Sequence, residues 1–104
     1  MDIATSDMAG PVIAIIRLHE AVLRSAGVRM LSLFGSVARG DCGQDSDIDL
    51  AAVFDPAARV DLFRLVALER ELTAILGRNV QILPEPISSA RLKANVEKDR
   101  VRVF

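Results

Sequence analysis

Two short apolar runs, Val28–Phe34 (VRMLSLF) and Ile48–Phe54 (IDLAAVF), limit what this chain can fold into more than any other feature. Each has the length and content of a strand and is bounded by turn residues. The first reads as a strand with a buried face. The second is apolar on both faces after Asp49, the pattern of a strand with neighbours on both sides. Gly35-Ser36 stops the first strand, Val37-Ala38-Arg39 can make one helical turn before Gly40, and a polar loop spans 41–46. Two carboxylates, Asp47 and Asp49, then open the second strand.

The flanking segments read as scaffold. Pro11 suits the first turn of a helix, where its missing N–H costs nothing. Val12, Ile15, Ile16, Val22, Leu23 and Ala26 then recur at helical spacing up to Gly27, a natural C-cap, so a helix is predicted over 11–26. After the second strand, Asp55-Pro56 reads as a cap and first helical position. The apolar stripe Leu62, Leu65, Val66, Leu68, Leu72, Ile75 and Leu76 carries that helix to Gly77, with Arg59, Asp61, Arg64, Glu69, Arg70 and Glu71 turned to water. Asn79–Leu83 is a third strand, stopped by Pro84 and Pro86. Ser88 or Ser89 caps a last helix on which Leu92 and Val96 sit one turn apart, and Val101–Phe104 forms a short terminal strand. The sum is an α+β fold, one domain over 1–104, with a small mixed β-sheet and helices packed on it.

Composition narrows the partners. With 104 residues, 51% apolar and 26% charged, the chain suits one core. A net charge of −1 gives no global field for nucleic acid, and without Trp or Tyr there is no platform for stacking bases. Arg91, Lys93, Lys98, Arg100 and Arg102 are interleaved with Glu97 and Asp99, so they read as a solvated helix face before an RNA site. The single cysteine, Cys42, excludes an intrachain disulfide and a cysteine-based zinc site. It reads as incidental, and His19, with no partner at ligand spacing, reads as a partly exposed helix residue. No signal-peptide pattern and no membrane-length apolar run occurs, so a cytoplasmic location is expected.

Residues two apart on a strand face the same side, about 6.5–7 Å from each other. Asp47 and Asp49 can therefore converge on one metal or flank two, and hard Mg²⁺ prefers such oxygen ligands together with substrate phosphates. A pair of Mg²⁺ ions would clamp the attacking and leaving oxygens of a phosphoryl displacement. Alone, the acid pair is as readily a polar strand start. Asp45, Asp47 and Asp49 do not make a calcium loop, because Leu50 and Pro56 stand where such a loop needs Gly and Glu. Gly35 lets backbone approach a phosphate, the Ser36 hydroxyl adds a donor, and Arg39 can reach a phosphate or pin the loop. Alone this is an ordinary turn, and no Gly-Lys-Ser/Thr follows to make a P-loop. Together, on neighbouring strands, the two halves would set bound phosphates beside bound metal.

At these residues the sequence resembles the DNA polymerase beta-like nucleotidyltransferase superfamily. Gly35-Ser36-Val37-Ala38-Arg39-Gly40 and Ser46-Asp47-Ile48-Asp49-Leu50 look like its signature. The length is similar to that of the minimal nucleotidyltransferases, a prokaryotic group often paired, as antitoxins, with HEPN-family toxins. The resemblance implies a nucleotidyltransferase fold in which Gly35 and Ser36 hold the triphosphate of ATP and Asp47 and Asp49 bind Mg²⁺. It also implies a HEPN-type toxin as partner and transfer of AMP to a tyrosine of that toxin. The family usually carries a third carboxylate on the third strand, where this chain reads Val80-Gln81-Ile82. Glutamine is neutral and a poor Mg²⁺ ligand, and four residues of strand put Glu85 roughly 13 Å away. Two readings therefore stand: an active transferase, or a catalytically impaired relative that neutralises a toxin by occlusion. The small size leaves no separate acceptor-binding domain, so the partner or a second copy of the chain is expected to supply the other wall of the cleft.

Overall fold

The computed structural model describes residues 8–41, 43 and 46–104. Cys42 and Asp45 lie outside the described residues. The elements run α1 (Ala9–Leu18), α2 (Glu20–Ser25), β1 (Val28–Phe34), α3 (Gly35–Arg39), β2 (Ile48–Phe54), α4 (Leu62–Leu76), β3 (Val80–Glu85), α5 (Ala90–Asp99) and β4 (Val101–Arg102). The strands form one sheet in the order β3-β2-β1-β4. β1 pairs antiparallel with β2 and β4, and β2 pairs parallel with β3. The expected mixed sheet and the central place of β2 are thus observed.

Strand alternation and register sort the sheet into two unlike faces. Leu31 and Leu33 of β1, Ile48 and Leu50 of β2, and Val80 and Ile82 of β3 join Val12, Ile16, Leu23, Leu68 and Leu72 of the helices in a buried cluster. The opposite face carries Ser32 and Phe34, Asp49 and Ala51, Gln81 and Leu83, matched across the strands by the pairings Ser32–Ala51, Phe34–Asp49, Asp49–Gln81 and Ala51–Leu83. α5 lies against this second face through β1. Its Val96 is fully buried, and Arg100 just beyond it donates to the Ser32 hydroxyl at 3.0 Å. Beside α5 that face opens into a hollow lined by Phe34, Asp49, Gln81 and Leu83.

The outer edge of β3 is closed by side chains of α4. In a parallel pair, alternate N–H groups of an edge strand point away from the sheet. The Val80 N–H donates to Thr73 Oγ1 at 3.0 Å, the Ile82 N–H donates to Glu69 Oε2 at 2.8 Å, and Pro84 has no N–H to offer. Glu69 and Thr73 stand one turn apart on α4, so the helix meets the strand's spacing. This corrects the expectation that Glu69 faces water. It also explains why β3 runs through Pro84 to Glu85 when a stop was expected: the missing N–H falls on the side away from β2.

Other features also differ from the sequence expectation. The helix over 11–26 is two helices broken at His19, whose N–H bonds back to Ile16 O at 2.9 Å, one residue short of helical spacing. Its Nδ1 lies 3.0 Å from Ile15 O, which holds the ring against the preceding turn. Asp55-Pro56 starts only a 3₁₀ turn, Pro56–Ala58, ended by Arg59 at φ 49°. α4 begins after a second cap, Asp61, whose carboxylate accepts from the Arg64 N–H at 2.9 Å. Finally, the apolar stripe of α4 is narrower than its sequence suggests. Leu68 and Leu72 are buried, but Leu62 is 70% and Phe63 85% exposed, because α4 lies over the edge of the sheet and shows the core a single line of side chains. The last helix is capped by Ser89, and the terminal strand is confined to Val101–Arg102.

Glu69→Ala leaves the buried-edge amide of Ile82 without an acceptor, and such losses cost about 1–3 kcal/mol. Urea unfolding should show a lower midpoint for Glu69→Ala with an unchanged slope, and Glu69→Gln, whose carbonyl still accepts, should recover most of the difference.

Candidate functional site

The site forms where β1 ends and β2 begins. Gly35 follows Phe34 at φ 77°, a left-handed conformation that favours glycine. A Cβ placed on Gly35 would lie 2.5 Å from Asp49 Oδ2. Glycine is therefore required twice, by the backbone conformation and by the carboxylate that packs against it. Phe34 pairs with Asp49 across β1 and β2, and Asp49 pairs with Gln81 across β2 and β3. The Gly-Ser turn, the acid pair and the third-strand position are thus brought together. The turn continues into α3, which ends at Gly40, φ 79°.

The acid pair is electrostatically tense. The Asp49 carboxyl is pushed above the usual carboxylate range, first by its burial and then by the like charge of Asp47, while Arg39 pulls it back. A divalent cation held by the two carboxylates would offset both effects. Two aspartates with substrate phosphates and water completing the shell is a donor set Mg²⁺ accepts. Among the described residues no cluster of three or more metal-ligating side chains occurs, so these two acids stand without a third. Gln81 occupies the third position and donates its Nε2 to Asp47 Oδ2 at 3.1 Å. Glu85, also on β3, is held by Arg100, which Glu97 engages from the other side at 2.8 Å.

Arg39 is placed at the rim and is committed there. Its Nε donates to Asp41 Oδ2 at 3.0 Å and its Nη1 to Asp99 Oδ2 at 2.7 Å. Of its two expected roles, the structure displays the pinning one: it ties the end of α3 to the end of α5.

Two hollows open on this face of the sheet and share Phe34, Asp49 and Leu92. One, about 650 Å³, is floored by Gln81 and Leu83. The other, about 460 Å³, has Gly35 and Ser36 on one wall and Asn95, Lys98 and Asp99 of α5 on the facing wall. Sequence reading missed this second wall. Its signal was present in the spacing of Leu92, Asn95 and Asp99, three and four apart, which puts them on one side of a helix. Arg100, grouped in the sequence with basic surface residues, is instead a partly buried ion-pair centre. His19 lines neither hollow.

Comparison with known proteins gives a consistent result. Residues 15–103 match the nucleotidyltransferase domain family. The chain is 32% identical over 90 residues to protein adenylyltransferase MntA of Thermococcus cleftensis, a span covering 86% of this chain and 85% of that protein. Its fold is similar to that in a toxin–antitoxin crystal structure with AMP-PNP, at TM-score 0.72 and 23% identity over 88% of this chain and 72% of the other. It is also similar to that in the complex of tri-AMPylated Shewanella oneidensis HEPN toxin with MNT antitoxin, at TM-score 0.66 and 20% identity over 89% of this chain and 71% of the other.

The raised pKa of Asp49 fixes the sign of a stability effect. A carboxyl whose pKa is higher folded than unfolded favours the fold below its unfolded value, and that contribution is lost as pH rises through the folded value. At neutral pH the charged, unmetallated Asp49 therefore opposes folding. Asp49→Asn should melt a few degrees higher than the unchanged chain in metal-free buffer at pH 7. The gap should shrink as pH falls toward 4, as followed by thermal denaturation.

Proposed function

Because the chain belongs to the nucleotidyltransferase domain family, we propose that it binds ATP with Mg²⁺ and transfers an AMP group to a protein acceptor, as the antitoxin of a HEPN-family toxin. The observation that carries this reading is the close approach of the Asp49 carboxylate to Gly35, which supports a phosphate-holding role for the turn beside a metal-holding role for the acid pair. Its adenylyltransferase relative and the toxin complexes of its structural neighbours support the choice of acceptor class and partner.

The roles follow from position. Asp47 and Asp49 would hold Mg²⁺, which when bound neutralises phosphate charge and acidifies an acceptor hydroxyl. Gly35 offers unhindered backbone to the triphosphate, and the Ser36 hydroxyl donates to it. Arg39 keeps the turn and α5 at a fixed separation and adds positive field at the rim. A tyrosine hydroxyl of the partner would form the new bond to the α-phosphorus, pyrophosphate would leave, and the hydroxyl proton would pass to solvent. The hollows are open on the side away from the sheet, which suits a partner protein or a second copy as the missing wall. No helix among the described residues is long and apolar enough to cross a membrane.

A second reading rests on Gln81. Its amide donates a hydrogen bond to Asp47, where an acid would bind metal next to the acceptor, and Glu85 is held by Arg100. On this reading nucleotide binding persists, transfer is slow or absent, and neutralisation comes from occlusion.

Incubating the chain with α-labelled ATP, Mg²⁺ and the HEPN-type protein encoded beside it separates the two. Active transfer should label that protein, and Asp47→Asn with Asp49→Asn should reduce labelling by at least about a hundredfold. If the unchanged chain transfers nothing and Gln81→Asp does, the active-enzyme reading is wrong and occlusion stands. If the folded double variant no longer neutralises the toxin, occlusion alone fails.

A further inference from the structure

The cleft between the Gly35-Ser36 turn and α5 contains two cations, and they are not equivalent. Arg39 has its donors engaged by Asp41 and Asp99, the latter with only 9% of its side chain exposed. Lys98 faces the same space and makes no ion pair among the described residues. It stands across the hollow from Ser36, on a helix held in place by fully buried Val96 and by the Arg39–Asp99 pair. Asn95 lies one turn earlier and lines the same wall, offering an amide donor. The charge in this hollow is thus arranged unevenly: Asp49 makes no ion pair among the described residues, Arg39 is committed to the scaffold, and the Lys98 ammonium is left beside a glycine turn.

Building on the nucleotide-binding reading above, we propose that Lys98, assisted by Asn95, is the polyphosphate-recognising wall of the site and sets its preference for a nucleoside triphosphate over a monophosphate. An ammonium on a four-carbon stem is a mobile point charge that can follow the β- and γ-phosphates. Ser36 and the backbone at Gly35 hold those phosphates from the opposite side. A monophosphate, anchored at the acid pair through its cation, has no phosphate extending toward Lys98 and gains little from it.

Isothermal titration with AMP-PNP and with AMP, each with Mg²⁺, tests this without relying on turnover. Lys98→Ala should weaken AMP-PNP binding roughly tenfold or more at low salt, with AMP binding changed less than about twofold. Lys98→Arg should retain most of the AMP-PNP affinity. Lys93→Ala, which removes the same charge from α5 outside both hollows, should leave both affinities unchanged. If the unchanged chain binds AMP-PNP and Lys98→Ala binds it equally well, or if Lys93→Ala weakens it as much, the assignment of Lys98 is wrong while the nucleotide-binding reading survives. If the unchanged chain binds no AMP-PNP at all, that reading fails and Lys98 falls with it.

Discussion

The close approach of the Asp49 carboxylate to the Cα of Gly35 is the constraint on which the site depends. It exists because β1 and β2 pair antiparallel in a register that sets Phe34 opposite Asp49. A residue with a Cβ at position 35 would meet Asp49 Oδ2 at 2.5 Å and would also have to hold φ at 77°. The turn and the acid are consequently one unit: neither can shift without moving a strand of the central pair. A one-residue slip of β2 would send Asp49 into the core and Ile48 into the cleft. The buried cluster of Ile48 and Leu50 with Leu33 therefore maintains the site's geometry as well as the fold's stability.

The two faces of the sheet divide labour. One takes the helices α1, α2 and α4 and makes the core. The other carries the polar positions Ser32, Asp49, Gln81 and Glu85 between apolar neighbours, and α5 lies against it. Arg100 anchors that helix's end to both Ser32 of β1 and Glu85 of β3, while Arg39 joins its last turn to α3. The cleft is thus bounded by charged clasps on the outside and by the sheet on the inside. Asp49, which lines it, is partly buried beside the like charge of Asp47.

Much of this was legible in the amino-acid order. Strand limits at Val28–Phe34 and Ile48–Phe54 followed from apolar runs closed by Gly35 and opened by acids, because burial and turn chemistry agree there. The place of Gln81 beside the acid pair was what the family resemblance implied, and the parallel register of β2 and β3 sets it opposite Asp49. What could not be read depends on tertiary position. Asp55-Pro56 has the chemistry of a helix start, yet the helix waits for Asp61, since both aspartates satisfy local amides and only packing selects between them. Glu69 looks like a solvent residue in a helical pattern and becomes a ligand of the Ile82 N–H only when β3 arrives beside it. Lys98 and Arg100 look alike in sequence, and one faces the cleft while the other is a partly buried clasp, because Lys98 lies in the last turn of α5 and Arg100 just past its end.

The closure of β3's outer edge by Thr73, Glu69 and Pro84 has a consequence for how recognition can change over time. Main-chain pairing is indifferent to side chains, so a sheet that accepts partners by strand addition accepts many of them. With the Val80 and Ile82 amides already engaged and Pro84 offering none, a protein arriving on this flank meets α4 and its exposed Leu62 and Phe63. Its fit is then written in surface side chains that the core does not use. Such a vocabulary can be revised one residue at a time while the strands beneath stay as they are.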